Sequence, residues 1–163
     1  EAYKYYMDAV KRDGIPYELI EKALPTIEGE VNDILAQMVD FGIVMEMDGK
    51  NINTYLAYDD DNVWPLELSS GMERFVSSLA MRVGLINVCN LPRANFLAID
   101  EGFGNMDSDN LNSVYMLFQY LKTQFQFAFI VSHIESMRDT VDSLLEISKE
   151  NGFSQLKLPS KFN

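Results

Sequence analysis

Two uninterrupted apolar runs, Phe96-Leu97-Ala98-Ile99 and Phe127-Ala128-Phe129-Ile130-Val131, organise the second half of the chain. Runs of this length predict strands buried on both faces, as in the parallel sheet of an α/β protein. Between them Leu111, Val114, Tyr115, Leu117, Phe118 and Leu121 recur at helical spacing and predict a helix over about 108–123. Strand, helix, strand in that order is a βαβ unit, so the two strands should run parallel with a right-handed crossover.

The first half is patterned differently. Ile27, Val31, Ile34, Leu35, Met38 and Val39 form a helical stripe that Pro25 should open and Gly42 should close. Two strand-like runs, IVMEM and NINTYLAY, flank Asp48-Gly49-Lys50, and Asp-Gly at that point is a hairpin signal. The other strands of that sheet are expected elsewhere. Asp59 to Asn62 reads as a loop. Ser70, followed three residues later by Glu73, has the spacing of a capping box and opens a helical pattern over 71–90, with Pro92 just beyond. A short helix near 134–140 and a strand near 143–148 close the core. Residues 1–24 are polar and helix-compatible, interrupted at Gly14-Ile15-Pro16, and read as the base of a coiled-coil arm. The expected division is that arm, a core lobe over 25–150 and a peripheral tail over 151–163.

Composition narrows the class. The 163 residues, 47% of them hydrophobic and 12% aromatic, suffice for a folded domain with a real core. A net charge of −12 makes the chain as a whole a poor wrapper of nucleic acid, whose affinity rests on Lys and Arg at phosphates. Arg93, Lys122 and Arg138 are scattered and read as solvated surface. Cys89, the one cysteine, lies in an apolar helical context and is expected buried and reduced, which rules out an internal disulfide or zinc cluster. No run approaches the roughly 20 apolar residues of a membrane span. The chain opens mid-pattern without a methionine, which points to a fragment.

The chemistry gathers at three places. Asp100 and Glu101 follow the first apolar strand directly, at the end where open α/β sheets place their ligands. Adjacent carboxylates at a strand end suit two tasks, holding the water shell of Mg²⁺ and polarising an attacking water. Ser70-Gly71 opens a helix, where unpaired N–H groups and the positive dipole end favour an anion. His133, the one histidine, follows Ser132 where the second apolar strand runs out. Taken singly, each is more often structural: a solvated turn, a helix cap, a satisfied histidine.

Together and in this order they resemble a known set. Leu68-Ser69-Ser70-Gly71-Met72-Glu73, Phe96 to Glu101, Gly102 to Asp107 and Ile130-Val131-Ser132-His133 look like the signature motif, Walker B, D-loop and H-loop of an ABC-type ATPase head. Leu79-Ala80-Met81-Arg82-Val83 is similar to the signature helix. Order and spacing resemble the C-terminal half of an SMC-like head, above all in the SbcC-type DNA double-strand-break repair ATPases, including viral relatives. The fold so implied is the α/β C-terminal lobe of such a head, parallel strands with flanking helices plus a β-hairpin.

The resemblance implies roles. Ser70 and Gly71, with Met72 and Glu73 beside them, would contact the γ-phosphate of ATP held by the opposite head. Asp100 would support Mg²⁺, Glu101 would be the catalytic base, and His133 would sense the γ-phosphate. Asp107 would sit across the dimer interface, and Arg82 would couple the signature helix to the head. Met72 departs from the family, which has glycine there; a second register through Ser69-Ser70-Gly71 stays open. The chain contains no G-x-x-x-x-G-K-[ST] phosphate loop, since Gly49-Lys50 is followed by Asn51. An N-terminal half of the same head would supply it. The implied activity is ATP hydrolysis in combination with that half, and not by this chain alone. The other implied partners are a second head, an SbcD-type nuclease and double-stranded DNA, in an intracellular setting without a membrane. An SMC-, RecN- or RecF-like chromosome-maintenance head, or a non-catalytic scaffold of the same fold, are the alternatives.

Overall fold

The structure, a computed structural model, describes residues 1–11, 13–49, 51–100 and 111–157. Helix α1 (Ala2–Ala9) precedes the longer α2 (Ile15–Leu35). Pro16 lies in the first turn of α2, where its missing N–H leaves no helical bond unmade. The expected break at Pro25 does not occur, and α2 runs straight through it. Proline inside a helix removes one backbone bond, but burial of Leu24, Val31, Ile34 and Leu35 along one face outweighs that loss.

Strand β1 (Gly42–Asp48) pairs antiparallel with β2 (Asn51–Ala57), from Gly42↔Ala57 to Asp48↔Asn51, so Gly42 starts a strand rather than closing a helix. Gly49 adopts φ +58°, the left-handed conformation that the Asp-Gly turn needs. Strand β3 (Val63–Pro65) adds to the far side of β2, giving the order β1-β2-β3. The remaining edge of β1 is held by α2. Asn32 Oδ1 accepts from the Ile43 amide at 2.8 Å, Asn32 Nδ2 donates to the Ile43 carbonyl at 2.9 Å, and Glu28 Oε2 accepts from the Met45 amide at 2.6 Å. Side chains of a helix thus satisfy backbone groups that another strand would otherwise claim.

Helix α3 (Gly71–Val88) packs along α2. The contact depends on Gly84, because a Cβ there would stand 2.8 Å from Val31 Cγ2, and Val31 is fully buried. Valine side chains have little rotamer freedom in helices, so the clash has no easy relief. Gly84→Val is expected to destabilise the fold by about 3 kcal/mol through overpacking, read as a lowered urea midpoint at unchanged slope.

Strands β4 (Phe96–Asp100) and β5 (Phe127–Val131) pair in parallel around helix α4 (Leu111–Gln124), with Phe96↔Phe127 through Asp100↔Val131 in register. This is the βαβ order the apolar runs predict. Their burial is different from the expectation. Ile99 is buried, and Leu97 and Ile130 pack on the core, but the opposite face is open: Phe96 is 52% exposed, Phe127 57%, Phe129 51% and Val131 43%. The Phe96 and Phe127 rings stack on that open face with centroids 5.5 Å apart. Tyr115, expected in the buried stripe of α4, is exposed, while Val114, Leu117, Phe118 and Leu121 are buried.

A 3-10 turn (Glu135–Thr140) leads towards β6 (Glu146–Glu150), which pairs antiparallel with β7 (Phe153–Lys157). In the segment expected as a peripheral tail, residues 153–157 form β7, exposed along its whole length. Cys89, expected buried, is exposed beyond the end of α3. One apolar core joins these layers, drawing Val31 and Leu35 from α2, Leu56 from β2, Val76 and Val83 from α3, Ile99 from β4 and Leu117 from α4. Among the described residues no helix is long and apolar enough to cross a membrane.

Candidate functional site

The capping box at the start of α3 is formed in full. Ser70 is the N-cap; its Oγ accepts from the Glu73 amide at 3.3 Å, and Glu73 Oε2 accepts from the Ser70 amide at 2.6 Å. Two orphan donors at this helix end are satisfied in this way. The neighbouring serine behaves differently. Ser69 is buried, and its hydroxyl donates to the Leu66 carbonyl at 2.7 Å. Of the two serines, only Ser70 stands exposed at the helix start. Met72, the next residue but one, is buried and belongs to the core, and it also lines the cleft beside Ser70.

Glu73 has a second partner. The Tyr58 hydroxyl donates to Glu73 Oε1 at 2.8 Å, so the two carboxylate oxygens are held by two different elements. Burial pushes the Glu73 carboxyl up, but bonds from Ser70 and Tyr58 outweigh it and hold the group below its usual range. Burial, then the bond to Glu73, push the Tyr58 phenol up to about 12. The Tyr58 ring lies 5.6 Å from Phe41 and 5.6 Å from Trp64. In front of these groups lies an open cleft of about 540 Å³, lined among others by Asp40, Phe41, Tyr58, Ser70 and Glu73.

A second group sits elsewhere. Asp100 is exposed at the C-terminal end of β4, paired in register with Val131 at the end of β5. His133 follows two residues later, exposed on the same sheet edge. A cleft of about 240 Å³ runs from Asp100 past Ile99 and Leu97 to Phe75, Leu79 and Arg82 of α3. Arg82 thus faces the strand that carries Asp100. None of the residues lining this cleft lines the one at Ser70. The structure brings Asp100 and His133 to one edge, and Ser70, Gly71 and Glu73 to another place. Glu101 and Asp107 lie outside the described residues.

The donor chemistry suits magnesium carried in with a phosphate. That ion takes one or two carboxylates, several waters and phosphate oxygens. Asp100 is an exposed carboxylate at a strand end, and among the described residues no three His, Cys, Asp or Glu side chains gather to hold a metal by themselves.

No family model matches the chain. An uncharacterised protein, R555 of Acanthamoeba polyphaga mimivirus, is 34% identical over 94% of this chain and 13% of its own length. The DNA double-strand break repair Rad50 ATPase of Methanococcus maripaludis is 27% identical over 94% of this chain and 15% of its own. The SbcC component of the SbcCD nuclease of Pseudomonas aeruginosa is 33% identical over 55% of this chain and 8% of its own. The chain is a homologue of the SbcC and Rad50 ATPases. It spans between 8% and 15% of the length of these three relatives.

Solved structures agree on the fold. A chain described under ATP-driven dimerisation and DNA-stimulated activation of SMC ATPases superposes with a TM-score of 0.71 at 16% identity, covering 88% of this chain and 89% of that one. The SMC head domain from Thermotoga maritima gives 0.60 at 20% identity, covering 87% and 50%. The mixed α/β architecture, with its parallel pair, flanking helices and antiparallel hairpins, fits the C-terminal lobe of an ATPase head.

Sequence patterning misses two residues. Tyr58 carries no local signal, because its partner Glu73 is 15 positions away and belongs to another element. Asn32 reads as an ordinary helical polar residue, and only the packing of α2 against β1 reveals its two bonds to Ile43.

Proposed function

We propose that this chain is the C-terminal half of an ATP-hydrolysing head that works on DNA double-strand ends with an associated nuclease. The observation that carries the reading is the separation of two half-sites, Ser70 at one helix start and Asp100 with His133 at a sheet edge elsewhere. Phosphoryl transfer needs positioning and charge stabilisation more than covalent chemistry, so a site assembled from two subunits is physically sound. In this reading Ser70 and the helix N-terminus with Gly71 meet the γ-phosphate of ATP held by a second head. Asp100 holds the water shell of Mg²⁺, Glu101 takes a proton from the attacking water, and His133 reads the γ-phosphate. Asp107 lies across the interface between heads, and Arg82 ties α3 to the strand ending in Asp100.

The open face of β4 and β5 supports a missing half. An exposed apolar sheet face with two stacked phenylalanines is unfavourable in water and is the kind of surface a second layer covers. The sequence lacks a phosphate loop, and an N-terminal half that supplies both that loop and the second layer accounts for the two facts together. The names of the relatives favour double-strand-break repair. Likeness to SMC heads favours a chromosome-organising role as the second reading.

Combining the chain with its N-terminal half is expected to generate Mg-ATP turnover that neither piece has alone, measured as phosphate release. A combined head that binds Mg-ATP and never hydrolyses it would move the protein to the scaffold reading. Copurification with a metallo-phosphoesterase favours repair; copurification with a kleisin-like bridging protein favours chromosome organisation.

A further inference from the structure

An anion arriving at Ser70 meets a difficulty three residues on. Glu73 is a carboxylate, held ionised, on the first turn of the helix that is to receive the phosphate. Its charge repels the ligand, and the carboxylate also competes for the Ser70 hydroxyl. The geometry ties down both oxygens, so the charge has one fixed place beside the N-cap. Glu73 Oε2 is engaged by the Ser70 amide at 2.6 Å, and Glu73 Oε1 by the Tyr58 hydroxyl at 2.8 Å. Tyr58 lies just beyond the end of β2, and its ring contacts both Phe41 and Trp64, which directs its hydroxyl towards Glu73.

From this arrangement we infer that Tyr58 is a positioning residue for the phosphate contact at the start of α3: it fixes the Glu73 carboxylate in the capping box and, through that carboxylate, the Ser70 N-cap. The inference rests on the half-site reading of Ser70. Without the phenol, Glu73 Oε1 loses the partner that holds it from outside the capping box, and the carboxylate is free to move within the cleft that it and Ser70 line, loosening the N-cap that meets the phosphate. The effect lies on ATP-dependent head pairing and not on nucleotide binding by a single head.

The test uses the complete head, this chain combined with its N-terminal half, with Mg-ATP as ligand. Tyr58→Phe keeps the ring contacts and removes only the hydroxyl. The ATP concentration that half-saturates dimerisation is expected to rise about three- to tenfold, as for one lost bond to a partly exposed charge. Nucleotide binding by the undimerised head should be unchanged, and the thermal midpoint should fall by no more than one lost hydrogen bond accounts for. Combining Tyr58→Phe with Glu73→Gln should bring the half-saturating ATP back to within about twofold of Glu73→Gln alone, since the carboxylate is what the phenol restrains. Undisturbed dimerisation in Tyr58→Phe overturns the inference. So does a defect that persists at full size in the Glu73→Gln background, because it marks Tyr58 as acting other than through the carboxylate. If Ser70→Arg dimerises normally as well, the half-site reading fails together with the inference. If Ser70→Arg fails to dimerise while Tyr58→Phe is normal, the inference fails alone.

Discussion

Ser70→Arg is expected to abolish ATP-dependent dimerisation of the complete head and to lower turnover by about a hundredfold or more, the scale of losing one donor to a developing charge. Nucleotide binding to the N-terminal half should persist. The expectation follows from the exposed position of Ser70 at the start of α3. Arginine cannot accept the Glu73 amide bond that the serine oxygen now takes, and its bulk fills the space before the helix N-terminus. Losing the cap costs about 1 kcal/mol, too little to unfold a helix whose Val76, Ala80 and Val83 are buried in the core. Loss of dimerisation with an intact fold, read by sedimentation and by thermal melting, therefore separates function from stability. Dimers that still form with ATP would remove Ser70 from the interface.

Glu101→Gln is the second large effect. Under the proposed mechanism the carboxylate takes a proton from the attacking water, and a general base of this kind contributes about 10²- to 10⁴-fold. Turnover should fall by that factor, while ATP-bound dimers accumulate, because the amide keeps the size of the side chain and loses its basicity. Single-turnover phosphate release together with the dimer fraction at saturating Mg-ATP checks both halves of the statement. Wild-type turnover in this variant would take Glu101 out of its role. The contrast between the two variants is diagnostic: one should never form the dimer, and the other should never leave it.

Much of this lobe is legible in the chain because its signals are local. Ser70 and Glu73 are three residues apart, and a capping box needs nothing beyond that spacing. Asp48-Gly49 turns the β1–β2 hairpin because Gly49 can take positive φ, whatever surrounds it. The apolar runs at 96–99 and 127–131 become parallel strands around a helix, as their order requires. Where local signals mislead, the neighbourhood is responsible. Pro25 reads as a boundary and is carried inside α2, since the buried face of that helix is worth more than one backbone bond. Tyr115 falls on the apolar spacing of α4 but is left exposed, while Val114, Leu117, Phe118 and Leu121 beside it are buried.

The chain by itself determined the order of elements, the helix start at Ser70, and the carboxylate and histidine at the ends of two apolar strands, since each depends on residues within a few positions of one another. Only the tertiary structure decided which surfaces are covered and which groups meet. It left one face of β4 and β5 open, buried Ser69 while exposing Ser70, and brought the Tyr58 hydroxyl to Glu73. The physical reason is range: hydrogen bonding within a turn or cap is settled by adjacent residues, whereas burial and long-distance side-chain bonds depend on which element packs against which.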